Sequence, residues 1–189
     1  MTGFRSPLAT DANAGRVALI TGGGTGIGRA TSHELVRTGA KVAICGRRPE
    51  PLEAVRAELG DSCLVVRADV REPEQASHVV EAALERFGRI DVLVNNAGGQ
   101  FEAPAEQISA KGWRAVHRLV VDAAWDLTRT VAERSMIPNR DGLVVFVGFS
   151  PRRGIPGNVH ASAARPSPVP PPVTSATRSA FESGASGER

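Results

Sequence analysis

The chain of 189 residues has no tyrosine, two cysteines and only two lysines, Lys41 and Lys111, among its 23 basic residues. Without a phenol, no step can draw its proton from tyrosine. Cys45 and Cys63 lie at the ends of two apolar runs with no other cysteine nearby. Such an inventory builds no disulfide framework, and both read as buried thiols in a reducing compartment. No apolar run approaches the ~18 residues of a membrane span; the most apolar stretch, Leu143 to Phe149, is strand length. Met1 to Arg16 carries Asp11 and lacks an apolar segment, so it does not read as a secretory signal. A cytoplasmic location is expected, with no membrane partner. The net charge of +3 and pI near 9.5 come from arginines dispersed without a dense block. That argues against a nucleic-acid surface and suits a protein that handles anions. His33, His78 and His117 fall on expected helices without metal-ligand spacing, so no metal site is expected.

Apolar runs of strand length alternate with amphipathic runs of helix length, the pattern of a doubly wound parallel sheet covered by helices. The class is α/β. Strands are expected at Val17–Thr21, Lys41–Cys45, Leu64–Arg67, Val92–Asn95 and Leu143–Gly148, and helices at Gly26–Thr38, Pro51–Leu59, Pro73–Phe87 and Lys111–Arg134. Gly39, Gly60 and Gly88 follow the first three helices, where a left-handed cap would end each. One core is expected at this length, with residues 1–15 a flexible amino terminus and 16–165 the folded domain. From Pro166 the character changes to five prolines within seven residues and then mostly Ser, Ala, Thr and Gly. This is neither helix nor central strand, and its few apolar side chains cannot offset the entropy of ordering it. Residues 166–189 are expected to be a disordered tail. A sheet of this kind normally goes on to another helix and two more strands, so the pattern predicts a fold truncated after its fifth strand.

Thr21-Gly22-Gly23-Gly24-Thr25-Gly26-Ile27-Gly28 joins the first strand to the first helix. Glycines there let the backbone approach a pyrophosphate closely, while free N–H groups and the positive end of the helix stabilise its charge. This strand–turn–helix context makes the fold Rossmann-like and the ligand a dinucleotide. About 18 residues beyond Gly28, where an acidic side chain would hold the ribose 2′-hydroxyl of NAD(H), the chain reads Cys45-Gly46-Arg47-Arg48. The acid is absent. Gly46 leaves room for a 2′-phosphate and Arg47 can make charge-assisted bonds to it, which favours NADP(H), with NAD(H) second.

Together with Ala68-Asp69-Val70 and Asn95-Asn96-Ala97-Gly98, each after an expected strand, the glycine motif resembles the three cofactor motifs of the short-chain dehydrogenase/reductase family. The resemblance runs from about Arg16 to Arg165. It implies that Gly22, Thr25, Gly26, Ile27 and Gly28 cradle the cofactor, that Asp69 and Val70 meet the adenine, and that Asn96, Ala97 and Gly98 line the path to the nicotinamide. Asn95 to Phe101 with Gly112-Trp113 resembles the branch that reduces 2,4-dienoyl-CoA and trans-2-enoyl-CoA thioesters, so an acyl-CoA or related carbonyl substrate is expected. The family also places a subunit contact on the fourth helix, and self-association through that helix or the exposed fifth strand is expected.

Members of this family commonly use an Asn, a Ser, a Tyr and a Lys. By the same resemblance those positions fall on Val120, Gly148, Ala161 and Arg165. The phenol exchanges a proton with substrate oxygen and the ammonium lowers its pKa and binds ribose; alanine does neither. His160 to Arg165 resembles peroxisomal-type dienoyl-CoA reductases, which carry Ala at the Tyr position and rely on an aspartate from the fourth helix plus the Lys. Here Val120 holds the aspartate position. Asp122, two residues on, is turned by roughly 200° on a helix. Ser150 reads as a loop hydroxyl and His160 as an exposed residue at a helix entry. Arg165 can reach ribose hydroxyls but cannot shuttle a proton. Three functions follow: an NADP(H)-dependent oxidoreductase; a catalytically inactive NADP(H)-binding module or frameshifted fragment of such an enzyme; or a pure interaction protein, resting on the fourth helix and the unpaired fifth strand. No catalytic residue is assigned.

Overall fold

The computed structural model describes residues 6–148 and 157–165. Its elements run β1 (Val17–Thr21), α1 (Gly26–Arg37), β2 (Lys41–Gly46), α2 (Pro49–Leu59), β3 (Cys63–Arg67), α3 (Pro73–Phe87), β4 (Val92–Asn95), α4 (Ala110–His117), α5 (Ala123–Val131), α6 (Ile137–Asn139), β5 (Leu143–Phe146) and α7 (Val159–Ala164). Among the described residues the strands form one parallel sheet in the order β3-β2-β1-β4-β5. All five residues of β1 are buried, which is why this strand reads as an uninterrupted apolar run.

Side chains alternate along β1 to feed two cores. Leu19 packs with Ala43, Leu93, Val79, Val80 and Leu127 under α3 and α5, while Ala18 and Ile20 pack with Val42, Ile44, Leu52 and Val55 on the face carrying α2. Each large aliphatic side chain buried this way contributes about 1.5–3 kcal/mol. Polar anchors fix where β4 starts. Asp91, almost fully buried, accepts the Val17 N–H at 2.8 Å and pairs with Arg89. The Ser135 hydroxyl takes the Ile90 N–H at 2.8 Å and donates back to the Ile90 carbonyl at 3.0 Å.

Several expected boundaries move. The fourth helical stretch is one path from Ala110 to Asn139, widened into π-helical turns at Arg118–Asp122 and Ala132–Met136. Pro138 has no N–H to give the Arg134 carbonyl and its ring crowds that oxygen, which accounts for the second widening. β5 ends at Phe146, two residues short of the expectation. Gly88 adopts the left-handed cap after α3 (φ 79°, ψ −16°). Gly60 has φ 59° but ψ −140° and turns the chain into a short 3₁₀ segment instead. Within the expected flexible amino terminus, Asn13 donates its N–H to the Thr38 carbonyl at 2.8 Å and its amide to the Thr38 hydroxyl at 2.7 Å. The expected tail, 166–189, lies outside the described residues. Among the described residues no helix is long and apolar enough to cross a membrane, and no group of three or more His, Cys, Asp or Glu is placed to hold a metal ion.

Candidate functional site

The strand order reverses direction at β1, with β2 and β3 to one side and β4 and β5 to the other. Loops leaving neighbouring strands in opposite directions open a crevice at the carboxyl ends of the sheet. A cleft of about 610 Å³ lies there. Of the residues the sequence nominates, Gly22, Thr25, Arg47, Asp69, Val70, Asn96, Ala97 and Gly98 line it. Gly26, Ile27 and Gly28 do not. Ile27 is 62% exposed, Gly26 borders a separate hollow with Arg29 and His33, and Gly28 holds the loop up from below. Gly24, Cys45 and Arg48, which stand in the quoted motifs without having been nominated, line it too, and sequence reasoning left out Pro51, Leu52 and Leu119 altogether. The proximity of these last three arises from the fold, and no local motif announces it.

Gly22 takes a positive φ of 67°, and the N–H groups of Gly22 and Gly23 donate to the Cys45 carbonyl at 2.8 and 3.2 Å. That seats the loop on the end of β2. A Cβ on Gly28 would lie 2.3 Å from the Gly22 carbonyl oxygen and 2.6 Å from Asn96 Nδ2, so only glycine fits. Asn96 Nδ2 donates to the Thr21 carbonyl at 2.8 Å and to the Gly22 carbonyl at 3.2 Å. The Thr21 hydroxyl accepts the N–H groups of Asn96 and Ala97 at 3.0 and 2.8 Å. The side-chain amide of Asn96 is thus a clamp between the loops after β1 and β4. Thr21 is a partner in that clamp which the sequence showed only as the junction between a strand and the glycine motif. Thr25 precedes α1 in extended backbone and makes no cap bond with its hydroxyl, and the first N–H groups of a helix lack intrahelical acceptors. The cleft at Thr25 therefore adjoins the positive end of α1.

The charged lining consists of Arg47, Arg48 and Asp69. Asp69 is engaged by its neighbour: Arg71 Nε donates to its carboxylate at 2.9 Å and Arg71 Nη2 at 2.5 Å. This contact above all holds the Asp69 carboxyl below the ordinary carboxylate range. The Asp69 N–H donates to Gln75 Oε1 at 2.8 Å. Arg71 is a second residue that sequence reasoning missed, although its spacing from Asp69 is the available signal. The two arginines leave this end of the cleft positive. Cys45, fully buried beneath the loop, has its thiol pushed up to about 12 by desolvation, so it lines the wall as a neutral group.

The positions matched to the family's catalytic residues lie beyond Gly98. Ala161 is fully buried and packs with Ala164 and Val116, with Val120 against them. His160, expected to be exposed, is fully buried. The small residues Ala161 and Ala164 let α7 settle closely on α4, which draws the preceding imidazole inward against Phe101. Burial, and then the nearby His117, lower the His160 pKa. Arg165 runs from Gly148 to Gly98: its Cδ is 3.7 Å from the point a Gly148 Cβ would occupy, and its Nη2 is 2.6 Å from the corresponding point on Gly98. Asp122 is exposed in the first π-helical turn. Ser150 lies outside the described residues.

A profile of the short chain dehydrogenase family matches residues 16–160. The chain is 47% identical over 121 residues to a peroxisomal 2,4-dienoyl-CoA reductase of Arabidopsis thaliana, covering 62% of this chain and 40% of that protein. It is 30% identical over 154 residues to a probable 2,4-dienoyl-CoA reductase of Bacillus subtilis, covering 79% and 61%. The chain thus spans about half the length of the curated relatives it matches. Among solved structures, a citronellol catabolism dehydrogenase of Pseudomonas aeruginosa superposes with a TM-score of 0.79 at 35% identity, covering 86% of this chain and 67% of that one. A 3-ketoacyl-(acyl-carrier-protein) reductase of Brucella melitensis complexed with NADH superposes with a TM-score of 0.76 at 30% identity, covering 81% and 65%.

Proposed function

Because this chain belongs to the short-chain dehydrogenase family, we propose that its cleft binds NADP(H), as the cofactor-binding portion of a reductase of enoyl- or dienoyl-CoA thioesters or related carbonyl compounds. The observation that carries the reading is the cleft itself. Its floor is the glycine loop, where Gly22, Gly24 and Thr25 line the cleft just ahead of the start of α1, and Gly28 tolerates no Cβ beneath that loop. Its wall at the end of β2 holds Arg47 and Arg48, and the nearby Asp69 carboxylate is paired with Arg71. Arginine forks suit a phosphate monoester, while a carboxylate there would repel it. The relatives named as 2,4-dienoyl-CoA reductases support the thioester substrate class.

When bound, the nicotinamide supplies or accepts a hydride; the protein must then hold a proton for the substrate. Ala161 has none to give, and Arg165 stays charged and keeps its protons. The chain by itself is therefore proposed as a nucleotide-binding module with little turnover. The two buried thiols fit a reducing compartment, and the cytoplasm is the proposed location. Calorimetric titration tests the cofactor reading: NADPH is expected to bind at least tenfold more tightly than NADH, and equal affinities would remove the assignment of phosphate recognition. A second reading, an active reductase, is favoured by the relatives' names alone. It predicts NADPH oxidation with 2,4-dienoyl-CoA approaching the ~10 per second typical of enzymes.

A further inference from the structure

We propose that the cleft is a half-site: it accepts the 2′-phosphoadenosine diphosphate portion of a nucleotide, while the Arg165 side chain occupies the crevice where the second nucleoside of a dinucleotide would lie. The inference rests on the NADP(H) reading of the cleft. In a doubly wound sheet the pyrophosphate sits over the glycine loop at the strand-order reversal, with one nucleoside to each side. Here β2 and β3 lie to one side, and Gly46, Arg47, Asp69 and Val70 line an open cleft at their ends. On the other side lie β4 and β5. Gly98 follows β4 and Gly148 follows β5, so a side chain that touches both crosses the gap between those two strand ends.

Arg165 does this. Its Cδ stands 3.7 Å from the Cβ position of Gly148 and its Nη2 stands 2.6 Å from that of Gly98. Both neighbours are glycines, which gives the guanidinium the space it takes. Among the described residues the cleft wall ends with Gly98 and Leu119 and includes none from the end of β5. Burial lowers the Arg165 pKa without discharging it, so the group filling the gap is a cation. A ribose and nicotinamide entering there would have to displace it. An adenosine bisphosphate meets no such obstacle, because Arg47, Arg48 and the glycine loop lie on the opposite side of Gly98.

The test is calorimetric binding of 2′,5′-ADP, NADP⁺ and nicotinamide mononucleotide to the full chain and to R165A and R165K. The half-site predicts that 2′,5′-ADP and NADP⁺ bind the unaltered chain within about threefold of each other, and that the mononucleotide does not bind. R165A is expected to strengthen NADP⁺ tenfold or more and leave 2′,5′-ADP unchanged, with R165K in between. Unchanged 2′,5′-ADP binding also reports that each variant is folded. Two results would overturn the proposal: NADP⁺ binding the unaltered chain tenfold more tightly than 2′,5′-ADP, or R165A weakening NADP⁺ alone, which would make Arg165 a ribose ligand. Failure of both nucleotides to bind would instead remove the NADP(H) reading, and the half-site with it.

Discussion

His160 stacks on Phe101 with 4.3 Å between ring centroids and 28° between ring planes, and neither of its buried ring nitrogens has a hydrogen-bond partner. A buried imidazole in this state is stabilised only as the neutral ring. Its folded pKa lies below the ordinary 6.5, through burial first and the neighbouring His117 second. Above pH 6.5 both folded and unfolded chains carry the ring neutral, and nothing is lost. As pH falls from 6.5 toward the folded pKa, the unfolded chain takes up the proton first and stability declines. Replacing His160 with Phe keeps the stack and removes two orphaned polar atoms. It should raise stability by about 1 kcal/mol at pH 7.5 and reduce the decline between pH 7.5 and 5.5. Urea denaturation at both pH values checks this; a variant with the original slope would show that other groups set the acid limit.

Gly28 and Asn96 set the second expectation. Substituting Gly28 with Ala forces a methyl against the Gly22 carbonyl and the Asn96 amide, and overpacking of this kind costs about 1–3 kcal/mol. Relief requires the glycine loop to lift from β2, so nucleotide binding should fall by more than tenfold even where the variant remains folded. Thermal melts paired with nucleotide titration separate the two effects. Retained affinity would mean that the loop does not carry the phosphates.

Arg47 is expected to read the 2′-phosphate. Removing its side chain deletes charge-assisted bonds worth about 1.5–3 kcal/mol, or one to two decades in Kd. NADPH affinity should drop by that factor and NADH affinity should hold. Equal losses for the two would assign Arg47 to the shared pyrophosphate.

These residues also mark what could be read in advance. β1 and the start of α1 were legible because each is a local pattern: an apolar run closed by a glycine-rich turn, then a helical period. The cleft residues Arg47, Asp69 and Gly98 were legible because they follow strands at fixed offsets. His160 was misread because its burial depends on Ala161 and Ala164 meeting Val116 on a distant helix, which no local pattern encodes. The π-helical turns were illegible for a related reason. One residue added to a turn leaves composition and apolar content unchanged while rotating everything after it. The paths of Arg165 to Gly98 and of Asn96 to Thr21 depend on loops brought together by the sheet order, so they became visible only with the fold.

The last expectation concerns the open side of the sheet. Among the described residues β5 pairs with β4 alone, and its Leu143 and Phe146 side chains are 56% and 61% exposed. Its residues Leu143 to Phe146 carry no charge and no proline, the features that ordinarily keep an edge strand from pairing with another chain. The exposed Trp113 and Trp125 of α4 and α5 add apolar surface elsewhere on the molecule. The chain is therefore expected to self-associate with rising concentration, and size-exclusion chromatography should show the shift. F146K places a charge on the edge at little cost to the core, because the side chain it replaces is already largely in water. It should restore a monomer if β5 is the contact. Persistent association would move the contact to the tryptophan-bearing helices. Hydrogen exchange completes the argument: a monomer of the unaltered chain with slow exchange from Leu143 to Phe146 would mean that the edge is covered and that this expectation is wrong.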